Sequence, residues 1–129
     1  WLRYDWRGSE RGCGLMRVLV CGWRDYADKQ YLWSVLDGFG PPEITEVISG
    51  MARGADSFAA EWAERFGFPL HKFPADWDKH GRAAGPIRNQ QMLDEGKPDL
   101  VLAFPGGRGT ADMISRARKA GVEVRVVAA

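Results

Sequence analysis

The sequence predicts a single α/β domain with a doubly wound, mostly parallel sheet of five strands and helices on both faces. From residue 16 onward, two kinds of segment alternate along the chain. Short apolar runs are typical of parallel strands buried on both faces, and longer stretches carry apolar residues at helical spacing. The least apolar strands, the third and the fifth, belong at the sheet edges, so we expect the strand order 3-2-1-4-5.

The first half of the predicted domain contains three strands and two helices. The all-apolar run 18–21 is the first strand, and apolar residues at helical spacing over 31–36 predict the helix that follows it. A second strand is expected at 44–48 and a second helix at 58–66. The third strand, 70–73, is short and follows a proline, which suits a sheet edge.

The second half begins with a long connection, 74–85, and connections of this length in a compact domain are usually functional or mobile. A helix is predicted over 87–93, and the fourth strand over 99–104. The last helix is expected to begin near residue 111. The final segment, 122–126, alternates apolar and charged residues and therefore predicts an edge strand with one exposed face.

Composition narrows the classes of function. We expect residues 1–15 to be a leader or extension and residues 16–129 to be one domain, large enough to bury a core without disulfides or metals. The net charge of +1 gives no bulk attraction for nucleic acid or membranes, so any charge-driven binding must be local. Two cysteines, Cys13 and Cys21, form no disulfide framework or metal motif. A cytoplasmic protein without cofactor or metal is expected.

The glycine- and arginine-rich segments all follow predicted strands, and the carboxyl ends of parallel strands meet at one edge of a sheet, where ligands of open α/β sheets bind. The strand-to-helix segment with three glycines within four residues predicts a phosphate site, because it brings backbone N–H groups and a helix N-terminus together. The candidate ligand-binding residues are Gly22, Arg24, Asp25, Ser49, Gly50, Arg53, Gly54, Asp56, Trp77, Asn89, Gly106, Gly107, Arg108, Gly109 and Thr110.

Three of these segments resemble motifs of one superfamily. Pro-Gly-Gly-Arg-Gly-Thr at 105–110 matches the signature of the Lonely Guy phosphoribohydrolases, which belong with the DNA-processing protein Smf/DprA to the Rossmann-like SLOG superfamily. Ser-Gly-Met-Ala-Arg-Gly-Ala-Asp at 49–56 resembles a Smf/DprA motif, and 85–92 is similar to the arginine segment of Lonely Guy. With Cys-Gly-Trp-Arg-Asp at 21–25, the spacing most resembles the small stand-alone YspA-type SLOG family over residues 16 to about 127.

The resemblance implies roles for two positions. Arg88 stands where Lonely Guy has a catalytic arginine, so it is the candidate catalytic residue. The glutamate that acts with that arginine is replaced by Met113, which can neither stabilise an oxocarbenium-like centre nor orient water. Asp112 points about 100° away around a helix and is an imperfect substitute. The other carboxylates that the loops bring to this edge are Asp25, Asp56, Asp76 and Asp78.

Each candidate also has a structural interpretation. The glycines permit tight turns and close packing, and surface arginines are usually solvated. Asp56 and Asp25 suit helix capping as well as ligand contact. Trp77 and His80 offer a stacking face and a titratable group for a nucleobase. In the structural interpretation, Trp77 packs on the core and His80 is solvated. Cys21 suits a small buried hydrophobe better than a nucleophile.

The residues and the resemblance together lead to three hypotheses. The first is a domain that binds a nucleotide or nucleotide-derived ligand, with hydrolysis of that ligand left open. The second is a Lonely Guy-like phosphoribohydrolase that cleaves the N-glycosidic bond of a nucleoside monophosphate. The third is Smf/DprA-like binding of single-stranded DNA, which the near-neutral charge disfavours. A homodimer is expected from the apolar residues on the helices, namely Trp33, Phe58, Trp62, Phe66, Met92 and Met113.

Overall fold

The structure, a computed structural model, describes residues 16–39 and 44–127, so the predicted leader at 1–15 lies outside the described residues. At its centre is a five-stranded sheet with the order β3-β2-β1-β4-β5, in which every neighbouring pair is parallel. The strands are β1 (Arg17–Cys21), β2 (Glu46–Ser49), β3 (Leu70–Lys72), β4 (Leu100–Ala103) and β5 (Glu123–Val126). The predicted fold class, strand order and edge positions are therefore confirmed.

Five α-helices connect the strands in the described part of the chain. They are α1 (Lys29–Phe39), α2 (Ala55–Phe66), α3 (Trp77–His80), α4 (Ala84–Gln91) and α5 (Arg108–Lys119). A 3₁₀ turn at Gly81–Ala83 joins α3 to α4, and a π-helical turn at Met92–Gly96 extends α4. None of the helices described here has the length and apolar character needed to cross a membrane.

The central strands divide the core into two halves, because successive side chains of a strand point to opposite faces of the sheet. Val18 of β1 packs in a cluster that contains Leu32 of α1 and Trp62 of α2. Its neighbour Leu19 packs on the other face in a cluster that contains Met113 of α5. Both faces of the sheet are thus covered by helices, which explains why β1 and β4 are apolar at nearly every position.

Several element boundaries differ by a few residues from the prediction, and two of the differences affect the site. The connection 74–85 is not irregular throughout, since α3 and the 3₁₀ turn lie within it. The last helix begins at Arg108 and not near residue 111, with the N–H of Ala111 donating to Gly107 O at 3.0 Å. N–H groups in a first helical turn need no intrahelical acceptor, so Gly109 is tolerated there and the glycine motif forms part of the helix.

The apolar residues on which the dimer prediction was based do not form one exposed patch. Trp62, Met92 and Met113 are buried within the single chain, and Trp33 and Phe58 are partly buried against the same core. Of the six, only Phe66 is exposed, at 51%, and its ring still contacts those of Trp33 and Trp62. The homodimer therefore stays a prediction whose original basis is wrong for most of these residues.

Candidate functional site

The loops after β1, β2 and β4 and the connection after β3 surround a cavity at the carboxyl edge of the sheet. Its volume is about 370 Å³, within the range of small-molecule sites. Ten of the sixteen residues singled out from the sequence line this cavity, drawn from all four segments. They are Gly22, Arg24, Asp56, Trp77, Arg88, Asn89, Gly107, Arg108, Gly109 and Thr110.

One wall of the cavity is the N-terminus of α5. Gly107 is its N-cap residue and no side chain caps the helix, so the N–H groups of residues 108–110 have no intrahelical acceptor. A Cβ added at Gly107 would meet no atom within 4 Å, which leaves the approach to these N–H groups open. The helix dipole adds partial positive charge at the same place. This end of α5 therefore suits an anion.

Glycines hold the loops after β1, β2 and β4 tightly together. The N–H of Trp23 donates to Pro105 O at 2.9 Å, which ties the first loop to the last. A Cβ on Gly106 would collide with the side chain of Thr110, and one on Gly54, whose φ is +75°, would collide with the Trp23 carbonyl. These two glycines allow close approach and do not line the cavity.

Arg88 reaches from α4 across the cavity towards the loop after β2. Its Nη1 donates to Gly50 O at 2.7 Å, and its Nε donates to Asn89 Oδ1 at 3.0 Å. A Cβ on Gly50 would lie 2.6 Å from Arg88 Nη1 and 2.9 Å from Asp56 Oδ2, so the absence of a side chain there lets the guanidinium and the carboxylate share the space. The two hydrogen bonds fix Arg88 and leave its other N–H groups for a ligand.

Asp56, in the first turn of α2, is only 5% exposed and lines the same cavity. Burial raises the pKa of Asp56 from 3.8 to about 6, although the Arg88 guanidinium and the Ala52 N–H act in the opposite direction. The hydrogen bond from that N–H is long, at 3.4 Å. Near neutral pH this site therefore contains a carboxylate that takes up a proton far more readily than an exposed aspartate.

Arg24 and Arg108 supply charge that no residue of the described ranges neutralises. Both line the cavity, and within the described residues neither guanidinium has a hydrogen bond or an ion pair. With Arg88, three guanidinium groups stand against one carboxylate, that of Asp56, in the lining. The near-neutral chain thus concentrates positive charge at this edge of the sheet.

Asn89 is buried and lines the cavity, but the structure gives it a positioning role. Its Oδ1 accepts from Arg88, and its Nδ2 donates to Gly109 O at 3.3 Å and to Asp112 Oδ2 at 3.0 Å. Burial raises the pKa of Asp112, but hydrogen bonds from Asn89 and Arg116 outweigh that effect and hold it below its ordinary value. Asp112 is thus paired with Asn89 and Arg116 and lies outside the cavity lining.

An apolar surface lies where Lonely Guy would have its glutamate. Met113 is fully buried and lines the cavity together with Met92 and Cys21. Burial is the main cause that raises the pKa of the Cys21 thiol far above its ordinary value, so the thiol stays neutral and behaves as a small hydrophobe. The carboxylates Asp25, Asp76 and Asp78 do not line the cavity, whereas Asp56 does.

The other predicted site residues lie around the cavity without lining it. Asp25 and Arg53 form an exposed ion pair at 3.4 Å. Ser49 is buried, and its hydroxyl donates to Asp56 O at 3.0 Å while accepting from the Met51 N–H at 3.1 Å. Gly50, Gly54 and Gly106 provide the close approaches described above. His80 is half-buried and outside the lining.

Sequence reasoning missed five lining residues, of which Trp23 is the most informative. The others are Cys21, Ala52, Met92 and Met113. Trp23 stands next to Arg24 directly after β1, so the rule that loops after strands meet at one edge was a sufficient signal for it. Across the described residues, no group of three histidine, cysteine or acidic side chains is placed to hold a metal ion.

Comparisons with known proteins show what this chain is similar to. The model of the "YspA, cpYpsA-related SLOG family" matches residues 16–80, which include the loops after β1 and β2 and the connection that carries Trp77. The chain is also similar to the Gene 61 protein of Mycobacterium phage D29. The two are 39% identical over 119 residues, covering 85% of this chain and 94% of the phage protein.

Proposed function

Because the chain belongs to the YspA, cpYpsA-related SLOG family, we propose that it binds a nucleotide or nucleotide-derived ligand in the cavity at the carboxyl edge of its sheet. Membership of a SLOG family indicates nucleotide-related ligands in general. The observation that supports this assignment is that two unpaired guanidinium groups and the uncapped N-terminus of α5 line the same cavity. Phosphate is the group that best matches this combination.

The phosphate of the ligand lies against Gly107 and the first turn of α5, where N–H groups and the helix dipole point into open space. Arg24 and Arg108 pair with its charged oxygens. Arg88, already fixed by Gly50 and Asn89, donates its remaining N–H groups to phosphate or ribose. Fixing an arginine in advance lowers the entropy lost on binding.

The experiment is a screen of nucleoside mono-, di- and triphosphates by thermal shift and titration calorimetry, followed by Arg24→Ala and Arg108→Ala. Each substitution should weaken binding about tenfold, which corresponds to roughly 1.5 kcal/mol, the lower end for a hydrogen bond to a charged group. Arg118→Ala is the matched control, since it removes the same charge from the other end of α5, outside the cavity lining. Equal effects of all three substitutions would indicate a general charge effect and contradict the proposed site.

The same measurements separate nucleotides from nucleic acid. A ligand held by a few phosphate contacts in a small cavity loses affinity with salt only moderately, whereas single-stranded DNA loses it steeply because many counterions are released. Tighter binding of oligothymidylate than of any mononucleotide, with a steep salt dependence, would favour the Smf/DprA-like alternative.

A second candidate function, cleavage of the N-glycosidic bond of a nucleoside monophosphate, is favoured by the position of Asp56. This buried carboxyl lies beside Arg88 in the cavity, and its pKa of about 6 suits exchange of a proton near neutral pH. In this reaction the bond between C1′ and the base nitrogen breaks, the base leaves with the electron pair and gains a proton, and water supplies a hydroxyl to C1′. Asp56 then supplies the catalytic carboxylate that the Lonely Guy glutamate supplies and that Met113 lacks.

Product analysis distinguishes the two functions. If the protein is a phosphoribohydrolase, incubation with the tightest-binding nucleoside monophosphate releases free base and ribose 5-phosphate, and Asp56→Asn abolishes the release while retaining binding. If it only binds, the nucleotide raises the thermal midpoint and is recovered unchanged.

A further inference from the structure

Two tryptophans of the cavity wall keep large parts of their rings exposed. Trp23 is 53% exposed and Trp77 is 59% exposed, whereas Trp62 in the core is 3% exposed and stacks on Phe68. Within residues 16–39 and 44–127, neither cavity tryptophan packs against another aromatic ring. Exposed large aromatic rings that share one cavity are typical of a surface that binds another flat or apolar group.

The backbone of Trp23 is tightly held. Its N–H donates to Pro105 O at 2.9 Å, and its carbonyl accepts from the N–H groups of Tyr26 at 3.0 Å and Ala55 at 3.5 Å. The loops after β1 and β4 and the start of α2 therefore all fix this one residue. Trp23 is presented at the cavity by the same contacts that assemble its glycine loops.

Trp77 reaches the cavity from the connection after β3. It is the first residue of α3, where Asp76 caps the helix by accepting from the Lys79 N–H at 3.1 Å. The tip of the Trp77 ring lies 3.7 Å from the position that a Cβ on Gly85 would occupy. The ring therefore extends over the beginning of α4, the helix that carries Arg88.

We infer that the nucleobase of the bound ligand packs against the indole rings of Trp23 and Trp77, and that these two rings make the site selective for nucleotides over sugar phosphates. This inference rests on the proposed function. In this arrangement one cavity combines the positive charge of Arg24, Arg108 and the start of α5 with the two indole rings. Every base has an aromatic face, so the rings favour the presence of a base more than its identity.

The test compares two probes that differ only by the base. The probes are ribose 5-phosphate and whichever of AMP, GMP, CMP and UMP the wild-type protein binds most tightly, both titrated by calorimetry. Trp23→Ala and Trp77→Ala should each weaken nucleotide binding about 5- to 150-fold, the range measured for loss of one base–aromatic stack, and should leave ribose 5-phosphate binding unchanged. Phenylalanine at either position should restore most of the affinity, because it keeps a stacking face.

Tyr31→Ala is the matched control, because Tyr31 is an exposed aromatic residue on α1 outside the cavity lining, and its loss should change neither affinity. If both tryptophan variants keep wild-type nucleotide affinity, or weaken both probes equally, the inference is overturned while the proposed function stands. If the wild-type protein binds none of the nucleoside mono-, di- and triphosphates of the screen and no ribose 5-phosphate, the proposed function fails and this inference with it. Unfolding midpoints of each variant show that lost affinity does not reflect lost structure.

Discussion

Replacing Asp56 by asparagine should make the protein more stable at neutral pH. The carboxyl group is 5% exposed, and burial is the largest contribution to the rise in its pKa from 3.8 to about 6, only partly offset by Arg88. A folded-state pKa above the unfolded one means that the native protein binds more protons between these two values, so stability falls as pH rises through this window. Asparagine keeps the shape and an acceptor for the Ala52 N–H while removing the charge.

The size of the effect follows from the shift of the Asp56 pKa. A rise from 3.8 to about 6 corresponds to about 3 kcal/mol of destabilisation when the group is ionised in both states, well above pH 6. Linkage then leaves roughly half of this penalty near pH 5 and only a small part of it near pH 4, where the native carboxyl is already protonated. Asp56→Asn should therefore gain about 3 kcal/mol over wild type near pH 7.5 and almost nothing near pH 4.

Urea unfolding of both proteins between about pH 4 and pH 7.5, at constant ionic strength, measures this difference from the midpoint and slope of each transition. Asp25→Asn is the matched control: the same chemical change removes an exposed carboxylate paired with Arg53, and it should alter stability by less than about 1 kcal/mol at any of these pH values. A gain for Asp56→Asn that is independent of pH, or no gain near pH 7.5, would show that the carboxyl is not buried as an acid beside Arg88.

Five further predictions concern the loops of the cavity and the chain as a whole. The Gly107→Val variant should fold normally, because an added Cβ meets no atom within 4 Å, but it should weaken nucleotide binding in calorimetry because the side chain fills the approach to α5. Gly106→Ala, by contrast, should lower the unfolding midpoint because its Cβ collides with Thr110. Arg88→Ala should weaken binding by about 1.5–3 kcal/mol in the same titrations. Lys97→Gly should raise the free energy of unfolding by about 0.5–1 kcal/mol, because Lys97 holds a left-handed conformation with φ +50° that glycine adopts without strain. We further propose a homodimer, and a single species of 14.4 kDa in sedimentation at micromolar concentration would contradict it.

The fold was predictable because the sheet is buried on both faces. The strands β1 and β4 pack helices on both sides, so nearly every residue in them is apolar and their runs stand out in the sequence. The strand order followed from the weaker apolar character of β3 and β5, which the structure places at the edges. The start of α5 was harder to predict, because the glycines that open a phosphate-type loop also form the first turn of the helix.

The candidate site was predictable as a region but not residue by residue. Gly106 and Gly107 are adjacent in the same motif but differ in role: Gly107 lines the cavity, whereas Gly106 only lets two loops touch. The sequence does not distinguish these roles, which become apparent only from the contacts that an added Cβ would make. Asp25 and Asp56 each follow a strand and precede or begin a helix. One is exposed in an ion pair, whereas the other is enclosed by Arg88 and the loop after β2.

A methionine at position 113, where the Lonely Guy signature that this chain resembles has a glutamate, affects the electrostatics of the cavity and not only its chemistry. With a methionine there, the wall that α5 contributes is apolar below its N-terminus, and Asp56 on α2 is the carboxylate that the described residues place in the lining. Among the described residues that line the cavity, none from α5 is acidic, since Asp112 lies outside the lining; under the proposed function this strengthens the attraction of Arg108 and the α5 N-terminus for phosphate. Asp56 lies instead beside Arg88, the one cavity arginine already held by hydrogen bonds. Under the proposed functions, phosphate binding and acid–base chemistry fall to separate groups, so we expect Asp56→Asn to remove turnover while leaving the phosphate site intact.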